Sequence, residues 1–266
     1  MAPVFRIMGV VNVTPDSFSD GGDFSEPGAA VAHARTLIGE GADLVDVGGE
    51  STRPYAEPVT TEEELRRVVP VIEALVGESV SVDTSKAAVA SAALDAGATY
   101  VNDVTAFRGD PAMAGLVAER GARCCLMHML GEPRTMQDDP RYPGDVVSAV
   151  KAFLEERMAF AVAEGVPEDA IELDPGIGFG KTVAHNLALI DRLDELVALG
   201  RPVVVGVSRK GFLGRLTGRE RAADRVHATV AANVIALERG ATVFRVHDVA
   251  ATRDALTVAA ATFASR

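Results

Sequence analysis

The stretch EGADLVDV, residues 40–47, leaves a predicted helix, turns at a glycine and enters a short apolar strand. The same succession returns as DAGATYVNDV at residues 95–104 and as ERGATVFRVHDV at residues 238–249. Short, almost wholly apolar runs after a helix end and a glycine are typical of parallel strands that are covered on both faces. We interpret the three stretches as copies of one αβ unit rather than as a repeat protein.

Outward from these stretches, the pattern predicts eight strands that alternate with eight helices. The predicted strands are 5–13, 44–48, 80–84, 100–104, 123–128, 171–174, 203–207 and 243–247. The predicted helices are 29–39, 62–75, 86–96, 111–120, 145–164, 184–199, 222–239 and 250–264. Most of these helices stop at a glycine, and the second follows Thr60 with acidic residues in its first turn, as helix ends and starts require.

The strand and helix count predicts an α/β fold, a single (β/α)8 TIM barrel. No boundary-like linker interrupts the alternation, so one domain over residues 1–266 is expected. A doubly wound open sheet is the alternative, because the same alternation serves both architectures. Eight units, and a chain that ends soon after the eighth helix, favour the barrel.

Composition excludes several classes of protein. The formal net charge is −12 and no Lys/Arg run occurs, which argues against nonspecific nucleic-acid binding. No apolar stretch approaches the roughly 20 residues of a membrane span, and no signal peptide is visible at the start. The two cysteines, Cys124 and Cys125, are adjacent in an apolar run and suit a core in a reducing compartment. A cytoplasmic protein is therefore expected.

Polar side chains collect at the ends of the predicted strands. In chain order they are Asn12, Asp46, Asp83, Asn102, Asp103, His128, Asp174, Ser208, Arg209, Lys210, Arg245 and His247. Taken singly, these residues have ordinary alternatives as helix caps, turn formers or solvated charges. All of those alternatives would have to hold together, whereas a barrel brings every strand end to one mouth, where barrel enzymes have their active sites.

Three loops follow the strands. NVTPDSFSDGG, residues 12–22, and GGESTRP, residues 48–54, are long and rich in glycine, hydroxyl groups and donors suited to phosphate oxygens. DPGIGFGKT, residues 174–182, resembles a phosphate loop but lacks the GxxxxGK[ST] spacing, so an ATPase is not predicted.

At these residues the sequence resembles the dihydropteroate synthase family, from end to end. The stretches that carry the resemblance are MGVVNVTPDSFSDGG (8–22), GADLVDVGGESTRP (41–54), SVDTSK (81–86), VNDV (101–104), CLMHMLGEPRTMQ (125–137), LDPGIGFGKT (173–182), VGVSRKGFLG (205–214) and RVHDV (245–249). The first two are highly specific. The resemblance implies a transferase that displaces diphosphate from a 6-hydroxymethyl-dihydropterin with the arylamine of p-aminobenzoate, as in folate biosynthesis.

The resemblance also assigns site residues. It implies a pterin pocket formed by Asp83, Asn102, Asp174, Lys210 and Arg245, with Met127 and Phe179 as apolar walls. It implies a diphosphate site formed by Asn12, Thr52, Arg53, Arg245 and His247, with a Mg²⁺ ion near Asn12. It places Phe18, Pro54 and Lys210 on the arylamine side, where sulfonamides compete. Catalytic roles are expected for Asp20, Lys210, Arg245 and His247, with Asp16 a further candidate beside Asp20.

These residue types suit the chemistry. A buried carboxylate can accept two hydrogens from the amidine-like edge of a pterin, and charge-assisted pairs are the strong ones. A flat guanidinium can cover the ring face better than an ammonium. A dissociative reaction is expected, in which diphosphate leaves first and the electron-rich pterin stabilises the exocyclic carbocation. No strong base is needed, because a neutral arylamine is already a good nucleophile.

Two departures from the family pattern stand out. Gly211 follows Lys210 where relatives often carry a hydroxyl or charged side chain, so the contact to the p-aminobenzoate carboxylate is left to the backbone or to Ser208. Tyr55 follows Pro54, where glycine is common.

Two other functions stay open. One is a pterin-dependent methyltransferase with a corrinoid partner, which needs no arylamine loop. The other is a catalytically silent pterin-binding paralogue, which should have lost Asn12, Arg53 or Lys210; all three are present. The resemblance further implies a homodimer, and the seventh and eighth helices are rich enough in Ala and Val to pack against a partner or against the barrel.

Overall fold

The computed structural model describes residues 5–14, 26–52 and 56–265. Within these ranges the chain forms eight strands and ten α-helices. The strands are β1 (Arg6–Asn12), β2 (Leu44–Gly48), β3 (Val80–Asp83), β4 (Tyr100–Asp103), β5 (Arg123–Met127), β6 (Ile171–Asp174), β7 (Val204–Val205) and β8 (Val243–Val246). The helices are α1 (Glu26–Gly39), α2 (Thr61–Glu73), α3 (Ala87–Asp95), α4 (Met113–Arg120), α5 (Val146–Ala163), α6 (Val183–Asp191), α7 (Asp194–Val197), α8 (Gly211–Thr217), α9 (Val226–Glu238) and α10 (Val249–Phe263).

The strands form one parallel sheet that closes on itself. Their order is β6-β5-β4-β3-β2-β1-β8-β7, so β1 lies between β2 and β8. The two ends of this order meet, because Leu173 of β6 bridges Val203 in parallel and its amide donates to the Pro202 carbonyl at 3.0 Å. The prediction of a TIM barrel is confirmed, and the open-sheet alternative is wrong.

Each strand presents one face to the helices and the other to the barrel interior, because side chains alternate along a strand. The outward residues are mostly valine, isoleucine and leucine, and they pack with the helices into the main hydrophobic core. Inside the barrel a separate cluster fills the middle, formed by Met8, Leu44, Tyr100, Cys125, Val204 and Val243. We call this apolar cluster the plug. The polar strand ends lie above it and form the floor of the C-terminal mouth.

Below the plug, the buried carboxylate of Glu172 holds the N-terminal end of the barrel together. It accepts from Arg6 on β1, from Arg123 on β5 at 2.6 Å and from the Tyr100 hydroxyl at 3.0 Å. Glu172 itself has no exposed surface, while the two arginines are partly exposed. The carboxylate thus ties strands from different sides of the barrel.

Replacing Glu172 with glutamine is expected to lower the free energy of unfolding by about 2–3 kcal/mol, since two cations lose their shared counter-charge at a buried site. Urea denaturation followed by circular dichroism measures this. Glu168→Gln is the matched control, because Glu168 pairs with Arg201 at the surface and its side chain is 59% exposed. Equal midpoints for the two variants would contradict this account of the barrel end.

The helix ends agree with the sequence pattern in most places. Thr60 caps α2 by accepting from the Glu63 amide at 3.2 Å, as predicted. Glycines that directly follow predicted helices adopt positive φ angles, for example +97° at Gly165 and +97° at Gly240. Such angles favour glycine because it has no Cβ.

Three helix predictions were incomplete. The predicted helix 184–199 is divided into α6 and α7. Leu189 in α6, Leu193 between the two helices and Leu196 in α7 are all fully buried, so the apolar spacing does not reveal the break. The predicted helix 222–239 begins with a short 3₁₀ turn before α9. Helix α8, which directly follows Lys210, was missed because its seven residues include two glycines.

Candidate active site

A cavity of about 520 Å³ opens at the C-terminal mouth of the barrel. Eight of the residues that the sequence assigned to the site line it: Asn12, Thr52, Asp83, Phe179, Ser208, Lys210, Arg245 and His247. They come from strand ends and loops that are far apart in the chain. The barrel therefore brings these side chains together in a single concave site.

Three further predicted residues lie just beneath this cavity. Asn102 pairs in register with Asp83 across β3 and β4, and Met127 pairs with Asp174 across β5 and β6. Asn102, Met127 and Asp174 are all buried. Met127 packs with Phe179, which lines the cavity, so the predicted apolar walls are in contact.

Four predicted site residues, Phe18, Asp20, Arg53 and Pro54, lie outside the described residues, as do Asp16 and Tyr55. Their roles stay predictions. Thr52, the last described residue before the second gap, lines the cavity.

Arg245 is the centre of a buried charge network at the cavity floor. Its Nε donates to Asp46 at 2.6 Å and its NH2 group donates to Asp83, also at 2.6 Å. Asp46 accepts in addition from the Ser81 hydroxyl at 2.6 Å and from the Asn102 amide at 2.9 Å. Asp46 thus orients both the guanidinium of Arg245 and the side-chain amide of Asn102.

Asp46 and Asp83 share the one guanidinium of Arg245, and burial shifts the pKa of Asp83. Burial raises the pKa of Asp83 to about 7; Arg245 opposes that shift and the nearby carboxylate of Asp46 reinforces it. Burial disfavours the charge of Arg245, but Asp46 and Asp83 outweigh it and hold the pKa of the guanidinium above its ordinary value. The floor of the cavity is therefore able to take up a proton near neutral pH when no ligand is present.

Asp174 and Lys210 carry opposite charges in the site and influence each other's ionisation. Burial raises the pKa of Asp174, against the opposing effects of Lys210 and of the Gly176 amide. Burial lowers the pKa of Lys210 to about 8, although Asp174 favours its charged form. The Lys210 ammonium donates to the Ile177 carbonyl and lies 4.5 Å from the centre of the Phe179 ring.

The glycine loop, residues 175–180, joins Asp174 to Lys181 and is fixed at many points. The Asp174 carboxylate accepts from the Gly176 amide at 2.6 Å, and the Gly178 amide donates to the Asn186 side chain at 2.7 Å. A Cβ at Gly176 would lie 1.8 Å from the His128 carbonyl oxygen, so only glycine allows this close approach to the end of β5. The sequence analysis rejected an ATPase phosphate loop here because the spacing is wrong, and the structure shows a tightly packed wall.

The eighth strand contributes His247 beside Ser208. The Ser208 hydroxyl lies 2.9 Å from His247 Nδ1 and accepts from the His247 amide at 3.1 Å. Arg209, by contrast, pairs through two bonds with Asp248, and it adopts a positive φ of 57°. Ser208 therefore contacts His247 and Lys210 contacts the glycine loop, whereas Arg209 is paired with Asp248.

For three strand-end residues the structure decides between a role in the site and an ordinary role as a helix cap or turn former. Asp83 does not cap α3, whose N-cap residue Lys86 makes no side-chain cap bond. Asp103 is a turn former, since its carboxylate accepts from the amides of Thr105 and Phe107. Asn102 is not, because its side chain points to Asp46.

Sequence reasoning gave no role to two residues that are central to the site. Asp46 was recognised only as a polar strand end, although its position opposite Ser81 in the β2–β3 register could have indicated its inward direction. Lys181 was not recognised at all. It is buried, lines the cavity and lies 2.9 Å from His128.

The family model described as "Pterin binding enzyme" matches residues 8–247, which include every described residue of this site. The chain therefore belongs to the pterin-binding enzyme family. Among curated relatives, the dihydropteroate synthase of Neisseria meningitidis serogroup B is 48% identical over 260 residues, which are 95% of this chain and 91% of that protein.

Solved structures agree with this placement. The Xanthomonas albilineans dihydropteroate synthase with 4-aminobenzoic acid is 51% identical, with a TM-score of 0.92, 97% of this chain covered and 93% of that chain. The same organism's enzyme in complex with 7,8-dihydropteroate is 48% identical, with a TM-score of 0.89 and coverages of 97% and 94%. Within the family, this chain groups with the dihydropteroate synthases.

Proposed function

We propose that the protein is a dihydropteroate synthase. It condenses 6-hydroxymethyl-7,8-dihydropterin diphosphate with p-aminobenzoate and releases 7,8-dihydropteroate and diphosphate. The observation that carries the proposal is that Asp83, Lys210 and Arg245 line one cavity, with Asn102 in register beside Asp83 and with Asp174 buried near enough to Lys210 to be affected by its charge. The relatives named above support the same reaction.

The floor matches the hydrogen-bonding edge of a pterin. Asp174 supplies a buried acceptor for the amidine-like N–H groups, and Asn102 can donate and accept. Lys210 donates to the pterin carbonyl or a ring nitrogen. Met127 and Phe179 provide apolar surface for the ring. The network that fixes Asn102 and Arg245 through Asp46 holds these groups ready before the ligand arrives.

The diphosphate arm of the substrate points towards the cationic side of the mouth. Arg245 and His247 line the cavity there, together with Thr52 and Asn12. A guanidinium suits phosphate oxygens because it offers paired donors in a plane. Donors that neutralise the departing diphosphate stabilise the charge that develops as the C–O bond breaks.

We propose Asn12 as the protein's contact to Mg²⁺. Asn12 ends β1 and lines the cavity, and the described residues contain no group of three His, Cys, Asp or Glu that could hold a metal ion. One amide oxygen suits an ion that binds mainly through substrate phosphates and keeps several waters. Bound there, Mg²⁺ would supply charge neutralisation for the diphosphate oxygens.

The reaction proceeds by dissociation. The C–O bond to diphosphate breaks first and its electron pair leaves with the diphosphate, which leaves a carbocation stabilised by the dihydropterin ring. The arylamine nitrogen then forms the C–N bond and loses its proton to solvent or to diphosphate. Asp20 is proposed to lie near the cation. Phe18 and Pro54 are proposed for the arylamine pocket, and Arg53 for the diphosphate.

The arylamine carboxylate has no side chain at residue 211 to bind it. Gly211 begins α8 beside Lys210, and Ser208, which also lines the cavity, is the proposed hydroxyl on that side. Sulfonamides, which carry an arylamine of the same shape, are proposed to compete for this pocket.

Diphosphate release, measured with and without p-aminobenzoate, tests the function directly. The synthase releases diphosphate and forms dihydropteroate when both substrates are present, and a dissociative step allows slow release with the pterin alone. Methyl transfer to a corrinoid without diphosphate release would establish the methyltransferase instead. Pterin binding without any turnover would establish the silent paralogue.

The pH dependence of kcat/KM for the pterin substrate is expected to be bell-shaped. Asp83 must be ionised to accept from the pterin, so activity falls as the pH drops through its raised pKa of about 7. Lys210 must be protonated to donate, so activity falls as the pH rises through its lowered pKa of about 8. These limbs report groups of the free enzyme. Asp83→Asn should change the position of the acid limb, leaving the contribution of Asp174, and keep the alkaline limb; an unchanged acid limb in this variant would contradict the assignment.

We also propose a homodimer formed through α9 and α10, which pack against each other. Ile235 on α9 is 46% exposed and Val258 on α10 is 68% exposed. Light scattering tests the proposal: Ile235→Asp and Val258→Asp should each produce a monomer if these helices form the interface. An unchanged mass for both variants would exclude this surface.

We propose a cytoplasmic location, because Cys124 and Cys125 are buried free thiols, which suit a reducing compartment. Among the described residues, no helix is both long enough and apolar enough to span a membrane.

A further inference from the structure

Lys181 is 2% exposed, which is unusual because lysine is rarely buried unless its ammonium is paired. Its Nζ lies 2.9 Å from His128 Nδ1 and 3.0 Å from the Phe179 carbonyl oxygen. Neither hydrogen-bond partner is a carboxylate, although the charge of Asp174 acts on Lys181. The protein thus buries an amine between neutral acceptors, and burial lowers the pKa of Lys181 well below its ordinary value; Lys210 adds to this shift and Asp174 opposes it.

These two partners belong to different elements. His128 follows the last residue of β5, whereas Phe179 lies in the glycine loop, so Lys181 bridges a strand end and the loop. At Gly176 the loop backbone lies directly against the carbonyl of His128. Lys181 therefore fixes the loop to the same residue that the loop backbone touches.

The imidazole is a competent acceptor for this bond. Burial lowers the pKa of His128 to about 3, with Lys181 and Arg108 contributing in the same direction, so the ring is neutral at physiological pH. Acceptance at Nδ1 then requires the ring proton on Nε2. The ring is held on two sides by Phe153, at 4.8 Å between centroids, and by Tyr142, at 5.9 Å.

The loop that Lys181 fixes carries part of the pterin pocket. The Phe179 ring lines the cavity beneath Lys210, whose ammonium also donates to the Ile177 carbonyl. Asp174 begins the same segment and accepts from Gly176. A small displacement of the loop would therefore move an apolar wall and the support of the Asp174–Lys210 pair together.

We propose that Lys181 is a positioning residue: its bond to His128 locks the glycine loop, and this lock sets how tightly the pterin heterocycle is bound. The proposal rests on the proposed function, since it assumes that the pterin lies on this wall. Lys181 acts through the loop and not on the reacting atoms. Its loss should therefore weaken substrate binding more than it slows the chemical step.

Lys181→Met tests this, because methionine keeps the length of the side chain and removes the donor. The KM for 6-hydroxymethyl-dihydropterin diphosphate, and its dissociation constant from calorimetry, should rise by about tenfold or more, while kcat stays within about threefold. Lys151→Met on α5 is the matched control and should leave both constants unchanged. Thermal denaturation is recorded for each variant.

A second pair of variants keeps the test informative if Lys181→Met does not fold. His128→Gln retains an oxygen acceptor for the Lys181 amine, whereas His128→Leu removes it. The glutamine variant should bind the pterin within about threefold of the wild-type protein, and the leucine variant should lose about tenfold or more.

The proposal is overturned if Lys181→Met binds the pterin as the wild-type protein does, or if the two His128 variants bind it equally. A lower melting temperature with unchanged pterin affinity would also overturn it, because that pattern belongs to a purely structural residue. Failure of the wild-type protein to bind the pterin would instead contradict the proposed function.

Discussion

Asp174→Asn is expected to lower kcat/KM for the pterin substrate by about a thousandfold, since two charge-assisted hydrogen bonds are lost at a buried site. The fold should survive, because the amide oxygen of asparagine can still accept from the Gly176 amide. The asparagine NH2 group, however, would face the N–H groups of the pterin edge, so donor meets donor. Steady-state diphosphate release at several pterin concentrations measures the effect.

Asp191→Asn is the control for this substitution. Asp191 ends α6, its side chain is 69% exposed and it pairs with Arg239 on the protein surface. The control should keep full activity. A loss of less than about fivefold in Asp174→Asn would contradict the central role of this carboxylate, because even one lost charged bond is worth more.

Lys210→Met is expected to lower kcat/KM by about a hundredfold or more, because a buried donor to the ring is removed. Two internal contacts go with it, the bond to the Ile177 carbonyl and the position over the Phe179 ring. The alkaline limb of the pH profile should also disappear, since the lowered pKa of Lys210 produces it. Lys151→Met again provides the matched control.

The double variant Asp174→Asn, Lys210→Met separates these two effects. The residues act on the same ring, and Lys210 lowers the pKa of Asp174. The loss in the double variant should therefore be smaller than the product of the single losses, as expected for residues that interact directly. Fully multiplicative losses would mean that the two residues act independently.

Much of this site could be predicted because, in a barrel, the position of a residue along its strand determines where it lies in the folded protein. Polar residues at the ends of apolar strands must meet at one mouth once eight parallel strands close. Asp83 and Asn102 illustrate this: Asp83 ends β3, Asn102 is the last residue but one of β4, and the register places them side by side. The resemblance to a known family then supplied the ligand that such a set would bind.

What could not be predicted depends on contacts between distant parts of the chain. Arg245 binds Asp46 and Asp83, which are 199 and 162 residues away, and no local pattern indicates such partners. Lys181 was overlooked because a lysine after a glycine-rich loop is ordinarily solvated or bound to phosphate. Its burial follows from the path of the loop past His128, which only the folded structure reveals.

The short helix α8 was missed for a different reason. Its sequence GFLGRLT has low helix propensity, and the helix depends on tertiary packing, with Phe212 and Leu213 buried. The consequence for the site is direct, because α8 begins at Gly211 and fixes Lys210 immediately before it.

The most direct test of the central claim is a crystal structure of the protein with 6-hydroxymethyl-dihydropterin diphosphate bound. The heterocycle is expected to lie on the cavity floor within hydrogen-bonding distance of Asn102, Asp174 and Lys210, with its diphosphate towards His247. A heterocycle bound elsewhere, or one bound in this cavity without contact to these side chains, would contradict the account.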